Sequence, residues 1–332
     1  MAAKTYDVVG IGNAIVDIIA RCDDSFLSKQ DLHKGMMRLI DAEQAAELYE
    51  VMGPATERSG GSVANSIAGL ASLGANCGFI GRVAADQFGG IFRHDIRSLG
   101  IEYTTEPATD GAPTARCLVL VTPDGERTMN TFLGASVDFT PADIDEGLIG
   151  TAKIVYLEGY LFDKDAAKSA FREAAKLAKD AGAKVALSLS DPFCVDRHRE
   201  DFRKLVKEDA DIVFANEKEI TALYETNTFL EAADAALQDC EMAVLTRSEA
   251  GSMIVSAGET TEIPAAPVEQ VVDATGAGDL YAAGFLFGLT KDLPLSVCGR
   301  LGSLAAGEAI SHIGARPEVN LLDLAKARGL LS

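Results

Sequence analysis

The chain of 332 residues contains no tryptophan, few histidines and no Cys-x-x-Cys pair. The four histidines stand far apart, at positions 33, 94, 198 and 312, so the sequence does not predict a zinc site. The six cysteines show no metal-binding or disulfide pattern. This usage is typical of reduced thiols in a cytosolic protein.

Basic residues are in deficit, with 30 Lys and Arg against 50 Asp and Glu and a formal net charge of −20. Nucleic acids and anionic membrane surfaces bind clusters of Lys and Arg, and the sequence has no such cluster. No apolar run approaches the roughly 18 residues of a membrane span, and the N-terminal segment lacks the features of a signal peptide. We therefore expect a cytoplasmic protein that binds neither nucleic acid nor membrane.

Three common enzyme motifs are also missing. The dinucleotide-binding pattern Gly-x-Gly-x-x-Gly starts at Gly10 and Gly12, but Ile15 takes the place of the third glycine. The absence of any Gly-Lys pair excludes a P-loop nucleotide site. The Gly-x-Ser-x-Gly elbow of α/β-hydrolases does not occur either.

Hydrophobic residues make up 48% of the chain, enough for a packed core. From about residue 150 onward, strand-like and helix-like segments alternate, which predicts a parallel sheet with helices on both faces. Two strand-like segments joined by a turn at 123–126 predict a β-hairpin. We expect a large α/β domain of residues 1–20, 59–100 and 135–332 and a small β-rich lid of residues 21–58 and 101–134.

The strongest motif is DATGAGD, residues 273–279, which precedes an apolar helix. Its small residues leave the backbone N–H groups of the helix start open to an anion. Asp279 stands beside them and could take the proton of a hydroxyl group. This combination is what phosphoryl transfer to an alcohol requires. The plainer alternative is that Asp279 only caps the helix.

Two further segments predict contacts with a ligand. Gly60 and Gly61 precede a helix that carries Asn65, an arrangement that allows backbone contact with a ligand but also marks an ordinary helix start. Asn13 and Asp17 follow the first strand, at the edge where open α/β sheets bind ligands. Burial of Asp17 among apolar residues is costly without partners, and the hydroxyl groups of a sugar are suitable ones.

Asn216 and Glu219 follow a strand and lie three residues apart, on one face of a predicted helix. They could hold a hydrated Mg²⁺, which takes few protein ligands. The alternative is a capping Asn beside a solvated Glu.

Together these motifs resemble the ribokinase/PfkB carbohydrate kinase family. They occur in the family's order: GIGNAIVD, GGSVAN, the DGER turn, NEKE and DATGAGD. The resemblance implies a ribokinase-like α/β fold, with a mostly parallel central sheet, helices on both faces and a small β-sheet lid. It also implies ATP-dependent phosphorylation of a hydroxyl group, so the chain is expected to be an enzyme.

The resemblance also implies roles for individual residues. Asp279 is expected to be the catalytic base, with an anion hole from Gly276, Ala277 and Gly278 and a charge from Arg127 that reaches the transferring phosphate. Asn216 and Glu219 are expected to organise Mg²⁺ through water. The implied ATP site comprises Asn216, Glu219, Thr246, Arg247, Gly251, Ala277, Gly278, Ser303 and Gly307. A monovalent cation such as K⁺ is a further family expectation, and the chain is expected to be a monomer or a homodimer.

The segment LSLSDPF, residues 187–193, is similar to the adenosine kinase-like subgroup. This similarity implies phosphorylation of a nucleoside 5′-hydroxyl group, with adenosine and ATP giving AMP and ADP. The implied acceptor site comprises Asn13, Asp17, Gly60, Gly61, Asn65, Cys117, Leu133, Tyr160 and Thr275. Thr275 and Ala274 depart from the subgroup's pattern, and Ser303 and Gly307 leave the preferred phosphate donor open. The alternatives are a ribokinase- or fructokinase-like sugar kinase, another nucleoside kinase, or a non-catalytic ligand-binding protein of the same fold.

Overall fold

The structure, a computed structural model, describes residues 4–332 apart from the side chain of Asp163. The strands are β1 (Tyr6–Ile11), β2 (Ile15–Arg21), β3 (Met37–Leu39), β4 (Ala55–Gly60), β5 (Cys77–Ile80), β6 (Ala115–Val121), β7 (Arg127–Phe132), β8 (Ala152–Glu158), β9 (Lys184–Ser188), β10 (Ile212–Asn216), β11 (Met242–Thr246), β12 (Ser252–Ser256) and β13 (Glu259–Ile263). The α-helices are α1 (Asp24–Lys29), α2 (Ala42–Val51), α3 (Ser62–Ser72), α4 (Gln87–Ser98), α5 (Glu146–Gly150), α6 (Asp165–Asp180), α7 (Pro192–Glu208), α8 (Glu217–Tyr224), α9 (Phe229–Asp239), α10 (Ala277–Thr290), α11 (Leu295–Ala309) and α12 (Leu321–Ala327). Short 3-10 helices cover Gly134–Asp138, Pro141–Asp143, Gly159–Asp163 and Ser248–Ala250. Within residues 4–332, no helix is long and apolar enough to cross a membrane.

The large sheet has eight strands in the order β13-β12-β11-β10-β9-β8-β1-β5. The six strands from β5 to β11 in this order run parallel, and β12 and β13 are antiparallel to their neighbours. Successive side chains of a strand point to opposite faces: in β1, Val8 enters one core and Val9 the other. The first core packs against α3, α10 and α11, and the second against α6 to α9. The predicted architecture of a mostly parallel sheet with helices on both faces is confirmed.

The small sheet has five strands in the order β3-β7-β6-β2-β4. The predicted hairpin forms its centre, where β6 and β7 pair antiparallel. The prediction assigns residues 1–20 to the large domain, whereas residues 15–20 pair with β6 and β4 in this sheet. Their apolar side chains explain the difference, because Val16 and Ile18 pack with Leu118 and Leu120. We therefore propose a small domain that also includes strand β2.

The parallel strands of the large sheet end along one edge, and several of them end in a polar residue. Asn13 follows β1, Glu158 closes β8, Asn216 closes β10 and Thr246 closes β11. The strand order reverses beside β1, which continues to β5 on one side and has β8 on the other. Open α/β sheets bind ligands at such an edge. The small sheet lies next to it, since only residues 12–14 separate β1 from β2.

Candidate active site

Asp279 lies in the first turn of α10 and is held by the start of α3. Ser62 Oγ donates to its Oδ1 at 2.6 Å, and Asn65 Nδ2 donates to its Oδ2 at 3.1 Å. Burial is the main reason that the pKa of Asp279 is raised to about 6; the two hydrogen bonds oppose this rise, and the charge of Asp17 adds to it. Such a carboxylate is mostly deprotonated at pH 7, yet basic enough to accept a proton from a bound hydroxyl group.

Asp17 projects from β2 on the small sheet. Burial raises its pKa to about 6, and the positive charges of Arg127 and Arg316 oppose the rise. A Cβ at Gly60 would overlap the Asp17 carboxylate, so only glycine leaves room for it. A carboxylate in this setting is an acceptor for hydroxyl groups of a ligand.

Glu158 ties Asn13 to the start of α3. Its carboxylate accepts from Asn13 Nδ2 at 2.7 Å and from the Val63 N–H at 2.9 Å. Burial raises the pKa of Glu158 to about 7. The Asn13 Oδ1 is buried and has no hydrogen-bond partner in the described part of the chain. The side-chain carbonyl oxygen of Asn13 is thus held in a fixed position and can accept a hydrogen bond from a ligand. Beside it, Gly61 has a φ of +104°, and a Cβ there would overlap the Asn13 backbone oxygen.

Residues 276–278 form the start of α10, where the first N–H groups of a helix have no carbonyl group of a preceding turn to donate to. Gly276 has a φ of +78°, and a Cβ there would lie 2.6 Å from the Ala315 Cβ. A Cβ at Gly278 would meet nothing within 4 Å. The Ala277 N–H makes one long hydrogen bond, of 3.3 Å, to the Ala274 carbonyl oxygen. This arrangement favours an anion close to the backbone.

Asp273 joins this loop to the small sheet through an ion pair with Arg127, and the two side chains are 4% and 9% exposed. Asp273 also accepts from the N–H groups of Thr275, at 3.0 Å, and Gly314, at 2.9 Å. Burial alone would raise its pKa, but these donors and Arg127 hold the pKa below its ordinary value. The resemblance places Arg127 at the transferring phosphate; in this structure Asp273 engages its guanidinium group.

Asn216 and Glu219 form a reciprocal capping pair at the start of α8. Asn216 Nδ2 donates to Glu219 Oε1 at 2.5 Å, and the Asn216 N–H donates to Oε2 at 2.9 Å. Burial raises the pKa of Glu219 to about 7. The pair lines a cavity of about 90 Å³ that it shares with Thr246, Gly278 and Asp279. The structure thus brings the predicted metal-organising pair to the predicted base.

A second cavity, of about 860 Å³, lies between the loop of residues 264–272 and helix α11. Ser303 and Gly307, which the resemblance assigns to the ATP site, are among the residues that line it. Arg247 stacks over the Phe229 ring at 4.8 Å, and Gly251, with a φ of +85°, packs against the Ile263 carbonyl oxygen. Neither residue belongs to the lining of the two cavities.

The other predicted acceptor residues lie around this centre. Cys117 is buried and pairs with Asp17 across β2 and β6. Leu133 precedes a 3-10 helix, where its carbonyl oxygen accepts from Ser136 Oγ at 2.6 Å. The Tyr160 N–H donates to Ser190 Oγ at 3.3 Å, and its ring is 37% exposed. Thr275 contributes its N–H to Asp273 rather than to the open space.

Three residues of the centre escape sequence analysis. Ser62 lies within GGSVAN, and its place at a helix start is the only signal for it. Glu158 is the last residue of an apolar strand, and a single charged residue at such a position indicates a possible functional side chain. Arg316 carries no local signal, because its role depends on contacts with Asn65 and Asp95, more than 200 residues away.

Comparisons with known proteins identify the family of this chain. The model of the pfkB family carbohydrate kinases matches residues 34–320. The solved structure of adenosine kinase from Sinorhizobium meliloti is 52% identical, covering 98% of this chain and 100% of that one, with a TM-score of 0.90. A probable sugar kinase protein from Rhizobium etli CFN 42 is 48% identical, covering 99% of this chain and 100% of that one, with a TM-score of 0.91. Adenosine kinase of Saccharomyces cerevisiae is 28% identical over 93% of this chain and 96% of its own length.

The expected resemblance and the expected enzyme class are therefore confirmed. The family implies ATP as phosphate donor, typically with Mg²⁺, and a nucleoside or sugar as acceptor. The chain belongs to the pfkB family of carbohydrate kinases and is a phosphotransferase that acts on an alcohol group.

Proposed function

We propose that the protein transfers the γ-phosphate of ATP to the 5′-hydroxyl group of a nucleoside, above all adenosine, and that Asp279 is the general base. The observation that carries the proposal is the position of Asp279. Asp279 follows residues 276–278 directly in the first turn of α10, and its carboxylate lines the same cavity as Gly278. A proton acceptor and an anion site therefore meet at one place.

In the proposed reaction, the Asp279 carboxylate takes the proton of the hydroxyl group as its oxygen attacks the γ-phosphorus. The bond between that phosphorus and the bridging oxygen of ADP breaks in line with the attack. The N–H groups of Gly276, Ala277 and Gly278 stabilise the charge on the equatorial oxygens. Arg127 is paired with Asp273 of this loop, and we propose that its guanidinium group turns to the phosphate when ATP is bound.

The acceptor ribose is assigned to Asp17, Asn13 and Asn65. Asp17 and the Asn13 Oδ1 supply acceptors for two hydroxyl groups. Asn65 spans from the acceptor site to Asp279, to which it already donates. Hydroxyl groups bound in this way point the remaining primary hydroxyl group at the base, which is the positioning that in-line transfer needs.

A nucleoside base would lie against the apolar face of the small sheet. Val119, Ile19 and Met129 pack together on this face with Cys117. Phe193, at the start of α7, is 74% exposed although it is large and apolar, and we propose that its ring contacts the nucleoside base. Flat apolar walls suit a purine better than a free sugar, which needs more hydrogen-bonding partners. The likeness to the Sinorhizobium meliloti adenosine kinase, at 52% identity, supports the same substrate class.

ATP is assigned to the two cavities, with its base near Ser303 and Gly307 and its phosphates toward Gly278. Within residues 4–332, no group of three or more His, Cys, Asp or Glu side chains is placed to hold a metal ion. Both Glu219 oxygens already accept from Asn216. The pair therefore fits a hydrated Mg²⁺ held through its waters, which would neutralise phosphate charge when bound. A monovalent cation such as K⁺ stays an expectation of the family.

A sugar kinase is the second candidate, favoured by the likeness to the Rhizobium etli probable sugar kinase at 48% identity. The two candidates differ in what the apolar face contacts. A nucleoside would cover it, whereas a simple sugar would occupy only the Asp17 and Asn13 end.

The test is ADP release with adenosine, inosine, guanosine, ribose and fructose as acceptors, with identification of the phosphorylated product. Adenosine should give 5′-AMP with the highest kcat/KM, and it should raise the thermal midpoint by mass action. Asp279→Asn should keep adenosine binding and lose at least about 100-fold in kcat, as expected for a general base. Asp165→Asn, which changes an exposed first-turn acid of α6, is the matched control. A higher kcat/KM for ribose or fructose would favour the sugar kinase, and normal turnover by Asp279→Asn would refute the assigned base.

A further inference from the structure

Arg316 lies in the loop after helix α11, and this loop contacts three parts of the site. Gly314 donates to Asp273, and Ala315 packs on Gly276. Ile313 packs on the apolar face of the small sheet. The loop is thus held between the anion site, the small sheet and the start of α3, although no recognised motif includes it.

The guanidinium group of Arg316 bridges two of these parts. Its Nε donates to Asn65 Oδ1 at 3.3 Å, and its Nη1 lies 3.4 Å from Asp95 Oδ2. Asp95 in turn accepts from the Ser59 N–H at 2.8 Å, next to Gly60. The Arg316 Nη2 is buried and has no hydrogen-bond partner within the described residues.

The contact with Asn65 decides which way that amide points. Because Arg316 can only donate, the Asn65 carbonyl oxygen must face it. The Asn65 NH₂ group then faces the other way, and it donates to Asp279 Oδ2 at 3.1 Å. The Asp279 carboxylate requires the same orientation, and loss of the arginine would leave the Asn65 carbonyl oxygen without this donor and the amide held by one contact fewer.

We infer that Arg316 is a positioning residue for acceptor phosphorylation, which fixes the Asn65 amide toward the base and supplies positive charge beside Asp17. The inference rests on the proposed function only in needing a hydroxyl acceptor. Arg316 can thus act at two places along the bound acceptor. It contacts Asn65, which donates to the catalytic base Asp279, and its charge lies near Asp17, which is assigned to the opposite end of the ribose. Its unused Nη2 donor is available to a hydroxyl oxygen of the bound acceptor.

The charge of Arg316 also acts on the ionisation of Asp17. The titratable and charged groups near Asp17 come from each neighbouring element: Arg127 on β7, Cys117 on β6, Arg58 on β4, Asp279 on α10 and Arg316 itself. Arg127 is already engaged by Asp273. Loss of Arg316 should therefore raise the pKa of Asp17, and the acid limb of kcat/KM should move to higher pH.

The experiment compares Arg316→Ala and Arg316→Lys with the wild type in steady-state kinetics. Arg316→Ala should raise the acceptor KM about 10- to 100-fold, the range for a lost charge-assisted hydrogen bond. The KM for ATP should stay within about twofold, because the two cavities assigned to ATP do not include Arg316. Added guanidinium should restore part of the activity of Arg316→Ala, and Arg316→Lys should lie between it and the wild type.

Arg199→Ala is the matched control, because Arg199 holds α7 to α8 through Ala222 and Glu225 and has no assigned role in the site. A parallel loss in both KM values and kcat, with no pH shift and no guanidinium rescue, would overturn the inference. Wild-type kinetics of both variants would overturn it as well, and an insoluble Arg316→Lys would assign the residue to folding alone. If the wild type does not phosphorylate adenosine, the proposed function fails, and the variants are measured with whichever sugar it does phosphorylate.

Discussion

Ser62 offers a direct test of how Asp279 is tuned. Its hydroxyl group donates to Asp279 Oδ1 at 2.6 Å, a bond that favours the charged form of the carboxylate. In Ser62→Ala this donor is lost, and Asn65 remains as the other donor. The pKa of Asp279 should therefore rise from its present value of about 6.

The size of the effect follows from the strength of the bond. A hydrogen bond to a charged group is worth about 1.5–3 kcal/mol, which corresponds to a shift of about 1 to 2 pH units in the acid limb of kcat/KM. At pH 7 the deprotonated fraction of the base would fall from about nine-tenths to between one-half and one-tenth. We expect kcat/KM at pH 7 to fall about 2- to 10-fold and to return to the wild-type value near pH 9.

The assay is kcat/KM for the acceptor between pH 5 and 9, at saturating ATP and Mg²⁺. Ser72→Ala is the control on the same helix, because Ser72 contacts Val319 and Leu321 rather than the base. Superimposable profiles for Ser62→Ala and the wild type would refute the reasoning. An equal loss at every pH would also refute it, since that result would assign Ser62 to substrate binding instead.

Three further predictions follow from burial and space. Gly278→Ala should leave the thermal midpoint unchanged, because the added Cβ would meet nothing within 4 Å. It should lower kcat/KM for ATP at least about tenfold, because the methyl group would fill the anion site. Gly276→Ala should in addition destabilise the fold, because its Cβ would press on Ala315. The pKa of Glu158 is raised to about 7 in the folded protein, so folding favours its protonated form. The resulting contribution to the free energy of unfolding is present at low pH and is lost as the pH rises from about 4.5 to 7. In chemical denaturation, the free energy of unfolding of the wild type relative to Glu158→Gln should therefore fall by about 2–3 kcal/mol between pH 5 and pH 8, and an unchanged difference would contradict this. Phe193→Ala should leave the stability of the fold unchanged, because Phe193 is 74% exposed. It should raise the KM for adenosine about tenfold and leave the KM for ribose unchanged. Equal effects on both acceptors would show that the ring does not contact the nucleoside base.

The sequence predicts the large sheet well and the small sheet only in part. Strands β8 to β11 are apolar runs separated by α-helices, and such segments can be recognised from the local sequence. Strand β4, by contrast, has the polar sequence ATERSG and buries only its last two residues, and β3 has only three residues, all exposed. These two strands exist because the hairpin and β2 offer them partners, which a local pattern does not reveal.

The site shows the same division. DATGAGD is a local arrangement of backbone and small side chains, so the amides and Asp279 follow from the letters alone. The hydrogen bonds that tune Asp279 join residues 217 and 214 positions apart in the chain. Arg316 and Glu158 enter the site only when helices α3 and α10 pack together against the sheet. Partnerships of this kind depend on the complete fold.

The short connection between β1 and β2 has one more consequence. Asn13 is anchored to the large sheet through Glu158, and Asp17 belongs to the small sheet, four residues farther along. An acceptor that forms hydrogen bonds to both residues would link the two sheets, so part of its binding energy would stabilise their relative position. A molecule too small to reach from Asn13 to Asp17 would lose one hydrogen bond and would also no longer link the two sheets. If the acceptor binds as proposed, its length between the two sheets would contribute to selectivity together with its hydrogen bonds.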